Sequence, residues 1–183
     1  MKETTPDTGK PLSQRAHSVQ AALLALLTLL MTVPGIWNLP VIDRDEARFA
    51  VASVQMAESG DYVSIRFQDE ARNKKPVGSY LAQTAFIKAF SSPGERTLWA
   101  QRLPSVIAAI IAVLAVYWAA IPMIGRRGAF IAGALLAVSA LFVFEGHIAK
   151  TDALLCASGA LVFVSFAHLR QGGGRFYLSL IHI

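Results

Sequence analysis

The chain has 183 residues, of which 54% are hydrophobic and only 16% charged, with a formal net charge of +5. So small a charged share excludes an ordinary soluble domain and puts a membrane protein first. The basic residues fall largely between apolar runs, so they read as topology signals rather than as a nucleic-acid surface. The single cysteine, Cys156, excludes an internal disulfide and a cysteine-built metal cluster, and its apolar setting reads as packing.

Residues 1–18 are polar, carry Pro6, Gly9 and Pro11, and read as a disordered cytoplasmic tail. Residues 19–39 form the first apolar run, long enough for a bilayer, which takes roughly 20 residues. A cleaved signal peptide is the competing reading. No small-residue cleavage site closes the run, however, and Pro34-Gly35 with Trp37 resembles an interfacial helix end, so a retained helix is expected.

Three more apolar runs cover residues 103–124, 128–144 and 153–169. The second has no charge on any side through its centre, as a lipid-embedded helix should. The short link containing Gly125, Arg126 and Arg127 makes the second and third runs a hairpin. Residues 170–183 read as a cytoplasmic link and the truncated start of a fifth helix, FYLSLIHI. Alternating crossings then gather Lys2, Lys10 and Arg15, Arg126 and Arg127, and Arg170 and Arg175 on one face. The positive-inside rule makes that face cytoplasmic and leaves residues 40–102 and 145–151 outside, with Asp152 at the outer end of the fourth helix.

Within the outer segment, Asp43 followed by Glu46 forms an aspartate version of the capping box, opening a helix that runs to about Ser59. Ala47, Ala50, Val51, Val54 and Ala57 or Glu58 recur at helical spacing, a face suited to lying on a membrane, and Gly60 stands where a left-handed terminator belongs. YVSIRFQ alternates like a strand and returns through Asp69–Glu70 as a small hairpin. Pro76 then opens a second helix, VGSYLAQTAFIKAF, which ends before Ser91. The expected fold is an all-α integral membrane protein. It has four transmembrane helices, the start of a fifth, and an extracytoplasmic loop of two interfacial helices and a hairpin.

Asp43, Asp45 and Glu46 stand in the first turn of a helix, where the macrodipole favours negative charge, and capping accounts for Asp43 and Glu46. Asp45 is not needed for the cap. Arg44 and Arg48 flank it and favour its ionised form, which suits a general base. Arg72, Lys74 and Lys75 precede Pro76, so exposed helix-start N–H groups and cations together could hold a phosphate; contact with anionic lipid headgroups is the plainer alternative. Asp152, at the end of an apolar helix, is a functional candidate if it has a partner. A local ion pair with Lys150 or His147, or a capping role shared with Thr151, are its structural alternatives. His17, His147, His168 and His182 have no metal-ligand spacing, and the Gly172-Gly173-Gly174 run lacks the context of a phosphate loop.

The stretches RDEARFA, SGDYV, NKKPVGSYLAQTAF, WAQRLPSVIAA and KTDALL, in this order, resemble the protein-mannosyltransferase/aminoarabinose-transferase glycosyltransferases, integral membrane enzymes of the GT-C fold. The resemblance runs from about Leu39 to Leu169. It implies that Asp45 is the essential aspartate after the first helix, that Lys75 holds donor phosphate with Arg72 and Lys74 beside it, and that Asp152 is a second site aspartate. Arg102 maps onto a structural or headgroup-binding arginine, with Asp43, Glu46 and Arg48 in support. Many members have an acid immediately before the Lys-Pro lysine; Lys74 stands there, so a divalent metal has no support in this sequence.

The implied activity is transfer of a sugar from a polyprenyl-phosphate donor to a hydroxyl of lipid A, a glycan or a protein. It would take place on the periplasmic face of the inner membrane, with membrane lipid but no nucleic acid as partner. A small non-catalytic membrane scaffold or transporter-like subunit is the alternative. Members of the family are commonly over twice as long, so the chain reads as an N-terminal fragment.

Overall fold

The computed structural model describes residues 10–72, 74–91 and 97–172, with residues 10–15 as backbone only. Helix α1 spans Lys10–Thr32 and so begins inside the stretch expected to be a tail. Pro11 falls in its first turn, where a missing N–H costs nothing. The helix stops before Pro34, and the chain turns through Gly35 at φ 93°, with Leu39 N–H bonded to Gly35 O at 2.9 Å. Thr28 and Thr32 are fully buried in this apolar helix because each hydroxyl donates back one turn, to Leu24 O and Thr28 O.

Helix α2 (Arg44–Ser59) follows, ended by Gly60 at φ 72° as its sequence position requires. The strands β1 (Arg66–Phe67) and β2 (Glu70–Ala71) pair antiparallel, Arg66 opposite Ala71 and Phe67 opposite Glu70. The expected strand is cut to two residues because Asp61 Oδ1 accepts both Val63 N–H and Ser64 N–H, curling its first half into a turn. The hairpin turns at Gln68, held at φ 56°; the Gln55 amide bonds both backbone groups of that residue, at 2.8 and 3.1 Å. Helix α3 spans Val77–Phe90, directly after Pro76 as expected.

The remaining helices are α4 (Leu98–Ala137), α5 (Ala140–His147) and α6 (Asp152–Leu169). The range of α4 holds two helical legs, and the chain bends back between them at Gly125, whose φ 73° and ψ 169° lie outside helical space. A methyl group placed on Gly133 would lie 3.6 Å from Tyr117 Cβ, and one on Gly146 would lie 3.6 Å from Ala109 Cβ. In a straight helix the first pair would be about 24 Å apart, so the two legs form the hairpin expected at this link. The third apolar run is interrupted at Val138–Ser139, between α4 and α5; no Pro or Gly stands there, and nothing in the structure explains the break.

The two legs of α4 pack with α1 and α6 as a bundle. Its core joins Leu24 of α1, Ala109, Val113 and Tyr117 of the first leg, Ala129 and Ala137 of the second, Phe142 of α5 and Ala157 of α6. Small residues dominate, letting the helix axes approach closely. Two helices among the described residues, α4 and α6, are long and apolar enough to cross a membrane. Cys156 lies on the exposed side of α6, outside the packed interface where it was expected. Helices α2 and α3 pack on each other through Phe49 stacked on Tyr80 (4.7 Å) and a Ser53–Gln83 hydrogen bond of 2.7 Å. The truncated fifth helix and the clusters at Lys2 and Arg175 fall outside the described residues.

Candidate functional site

One end of the bundle gathers most of the charged groups singled out above: the end of α1, the start of α4 and the loop 148–151 between α5 and α6. Here α2 begins. Asp43 caps it, accepting Asp45 N–H at 2.7 Å, and this bond is the largest cause of a carboxyl held below its ordinary range; the Lys150 ammonium adds to it.

Glu46 reaches back one residue past the cap, Oε2 accepting Ile42 N–H at 3.4 Å, and not Asp43 N–H as a capping box requires. Its shorter bonds go inward to Arg102, with Oε1 2.8 Å from Nε and Oε2 3.2 Å from Nη2. Oε1 also accepts Ala149 N–H at 3.0 Å. Both side chains are fully buried. Arg102 is always charged and has five N–H bonds to place. The other three go to backbone carbonyls of Ile36 (3.0 Å), Leu39 (2.9 Å) and Pro40 (3.0 Å), in the turn that follows α1. All five guanidinium N–H groups of Arg102 are thus taken by the protein itself. The arginine ties α1, α2 and α4 together with no donor left over.

The same inward turn sets which face of α2 is buried. Phe49, Ala52, Ser53 and Met56 continue the Glu46 face against α3. The expected apolar face, Ala47, Ala50, Val51 and Val54, is less buried and lines a groove of about 250 Å³ with Val41, Leu98 and Gln101.

Asp45 stays at the surface, its side chain 40% exposed, and pairs with Arg48 at 3.3 Å. Asp152, 43% exposed, stands 3.1 Å from Lys150 Nζ, the local ion pair weighed for it. That lysine also reaches Asp43 Oδ2 at 3.1 Å and Glu145 Oε2 at 3.4 Å. Three carboxylates thus surround one ammonium. Burial works against its charge, but the bonds to Asp43 and Asp152 outweigh it and raise its pKa well above the ordinary lysine value. Glu145, in the last turn of α5, is pushed up by burial. Sequence reasoning did not single out Glu145. Its signal was an acid ending an apolar run, five residues before a lysine.

Next to Lys150, Thr151 Oγ1 donates to Ser79 Oγ at 3.0 Å, which brings the first turn of α3 against the residue before Asp152. Lys74 and Lys75 sit exposed just ahead of that turn. No hydrogen bond or ion pair joins Lys75 to Asp45 among the described residues. Arg72 is more occupied than its neighbours: Nε donates to Tyr80 Oη at 2.9 Å, and the guanidinium lies over Phe49 (5.6 Å) and Phe67 (6.0 Å). Among the described residues no group of three or more His, Cys, Asp or Glu is arranged to hold a metal ion, and the three gathered acids enclose an ammonium instead.

The model of the family described as dolichyl-phosphate-mannose-protein mannosyltransferase matches residues 73–183, which carry Lys75, Arg102 and Asp152. The chain belongs to that family. Curated relatives named undecaprenyl phosphate-alpha-4-amino-4-deoxy-L-arabinose arabinosyl transferase occur in Yersinia pestis (strain Pestoides F) and Aeromonas salmonicida (strain A449). Each is 30% identical over 152 residues, covering 80% and 82% of this chain and 26% and 27% of the relative. The crystal structure of ArnT from Cupriavidus metallidurans bound to undecaprenyl phosphate superposes with a TM-score of 0.67 at 21% identity, over 82% of this chain and 26% of that one. The fold is therefore that of the family's relatives, and the chain spans about a quarter of their length.

Proposed function

We propose that this chain carries part of the site of a glycosyltransferase that moves a sugar from a polyprenyl-phosphate donor to an acceptor hydroxyl. The observation that carries the reading is the meeting of Asp45, Asp152 and the first turn of α3 at one end of the bundle, in a chain of this family. The acceptor oxygen attacks the anomeric carbon and the bond from that carbon to the phosphate oxygen breaks. Asp45 takes the acceptor's proton, and polyprenyl phosphate departs. Lys75 and Lys74, with Arg72 held by Tyr80, neutralise the charge growing on the leaving phosphate. Asp152 orients the acceptor or Asp45, and Arg48 pairs with Asp45.

In this reading α1, the two legs of α4 (the second continued by α5 as far as Phe144) and α6 make four crossings of a bacterial inner membrane. The basic Arg126–Arg127 turn is cytoplasmic and the acidic end periplasmic. The acceptor is a lipid, glycan or protein. A scaffold or ion-conducting subunit would set its acids at mid-depth, facing the bundle interior; here Asp43, Asp45, Glu145 and Asp152 all lie at one end, which favours the transferase.

Asp45→Asn in the full-length protein is the test. Transfer should fall by about a hundredfold or more while the protein inserts and purifies normally, the size of effect general bases supply. Turnover at the wild-type rate would sink the assignment. Lys75→Ala should chiefly weaken undecaprenyl phosphate binding; unchanged binding would return that lysine to the headgroup role.

A further inference from the structure

Three consecutive residues between α5 and α6 each bond to a different part of the outer segment. Ala149 N–H meets Glu46 of α2, Lys150 meets the Asp43 cap, and Thr151 meets Ser79 of α3. Lys150 is the central one. Asp43 receives Asp45 N–H on Oδ1 and Lys150 Nζ on Oδ2, while the same Nζ holds Asp152. An unbroken chain of contacts thus runs from the Asp45 backbone through Asp43 and Lys150 to the Asp152 carboxylate.

We propose that Lys150 is a positioning residue for the transfer reaction, fixing the start of α2 that carries Asp45 against Asp152. The inference rests on the transferase reading and deepens it. Without Lys150, nothing charged would connect Asp43, the cap of that helix, to Asp152, which lies more than a hundred residues away in sequence. With it, their separation is set by one ammonium whose side chain is only 14% exposed. The groups facing it are Asp43 ahead of α2, Glu145 on α5 and Asp152 on α6. The α3 side contributes only the uncharged Ser79–Thr151 bond. Farther along α2, Glu46 is neutralised by Arg102 and Asp45 by Arg48, while His147 is spent on Val143 O and Pro34 O. Arg44, exposed at the start of α2, acts on Asp43 from the solvent side, so Lys150 is the cation that bonds all three acids at once.

The test uses the full-length enzyme with undecaprenyl-phosphate-linked 4-amino-4-deoxy-L-arabinose as donor probe and release of undecaprenyl phosphate as readout. Lys150→Met should lower kcat about tenfold or more, as misplaced catalytic groups do, with the donor KM little changed. The acid limb of the kcat–pH profile should move to higher pH, because Asp43 and Glu145 lose the cation that favours their ionised forms. Lys150→Arg should restore both. Asp43→Asn removes the link from its other side without emptying the lysine position. It should lower kcat in the same way, and the double variant should be no worse than the poorer single one. A kcat within twofold of wild type in Lys150→Met overturns the proposal. So does an equal loss in the Met and Arg variants with an unmoved pH profile, since that marks a merely structural lysine. If Lys150→Met does not fold, Asp43→Asn with a wild-type kcat and pH profile overturns it alone. Asp45→Asn, run alongside, separates the two failures. Its turnover at the wild-type rate removes the transferase reading, whereas an inactive Asp45→Asn beside an unaffected Lys150→Met removes only the positioning role.

Discussion

Two charge clusters sit side by side at the same end of the bundle and are built to opposite rules. In the first, Glu46 and Arg102 are fully buried, one acid to one base, and all five guanidinium N–H groups are taken. In the second, Lys150 stands among Asp43, Glu145 and Asp152, one base to three acids, and Asp43 and Asp152 keep 31% and 43% of their side-chain surface in solvent. A saturated pair holds position and has nothing left to offer a ligand. An over-acidic, half-open cluster can meet a substrate. Sharing an end therefore does not make charges equivalent; the count of unfilled bonding positions separates the frame from the site.

Breaking the frame should produce the largest effect. Arg102→Met leaves Glu46 buried and unpaired, and a loss of about 3–5 kcal/mol in stability is expected, read by thermal unfolding of the detergent-solubilised protein. Arg102→Lys should not rescue it, because three donors on a point charge cannot reach two carboxylate oxygens and three carbonyls in different directions. A wild-type melting temperature in either variant would erase the contrast.

Gly146 tests how tightly the element carrying the open cluster is held. A Cβ there would meet Thr32 Cγ2 at 2.8 Å, so Gly146→Ala should cost about 1–3 kcal/mol. Adding Thr32→Ser, which deletes that methyl and keeps the hydroxyl bond to Thr28 O, should return most of the loss.

The smallest effects belong to the open cluster and depend on pH. Asp43 has a lowered pKa when folded, so its contribution is present above the unfolded value of 3.8 and lost as the pH falls through its folded value. Asp43→Asn should therefore narrow the stability gap to wild type only on strong acidification. Glu145 has the opposite sign. Its raised pKa gives stability that is complete below 4.5 and fades as the pH rises through the folded value, so Glu145→Gln should be neutral or mildly stabilising near pH 7. A Glu145→Gln protein less stable at neutral pH than wild type would place that acid with the frame instead.

Much of this arrangement was legible in the sequence because local rules dictate it. Gly60 ends α2, Pro76 precedes α3, and the Gly125–Arg127 link is a hairpin, each a matter of one residue's backbone preference. The resemblance named Asp45, Lys75, Arg102 and Asp152, and the structure brings Asp45, Arg102 and Asp152 to one end. What local reasoning missed was partner choice across long separations. Glu46 fits a capping box by spacing, yet it reaches only Ile42 N–H at 3.4 Å and gives its shorter bonds to a buried arginine 56 positions away, since an unpaired guanidinium inside the bundle costs far more than an unfilled helix N–H. The same choice turned the buried face of α2 away from the expected stripe. Lys150 was legible as a partner for Asp152, but its bonds to Asp43 and Glu145 needed the third dimension.

Surface loops generally absorb insertions and deletions with little loss, because their ends are close and their middles touch nothing. The link between α5 and α6 is the reverse. With Ala149, Lys150 and Thr151 each assigned to a different partner, it has no slack. One residue added between Ile148 and Asp152 would slip every one of those contacts by a place at once. Its length is therefore as much a part of the site as any side chain in it, and variation among functional versions of this segment should take the form of substitution rather than a change in residue count.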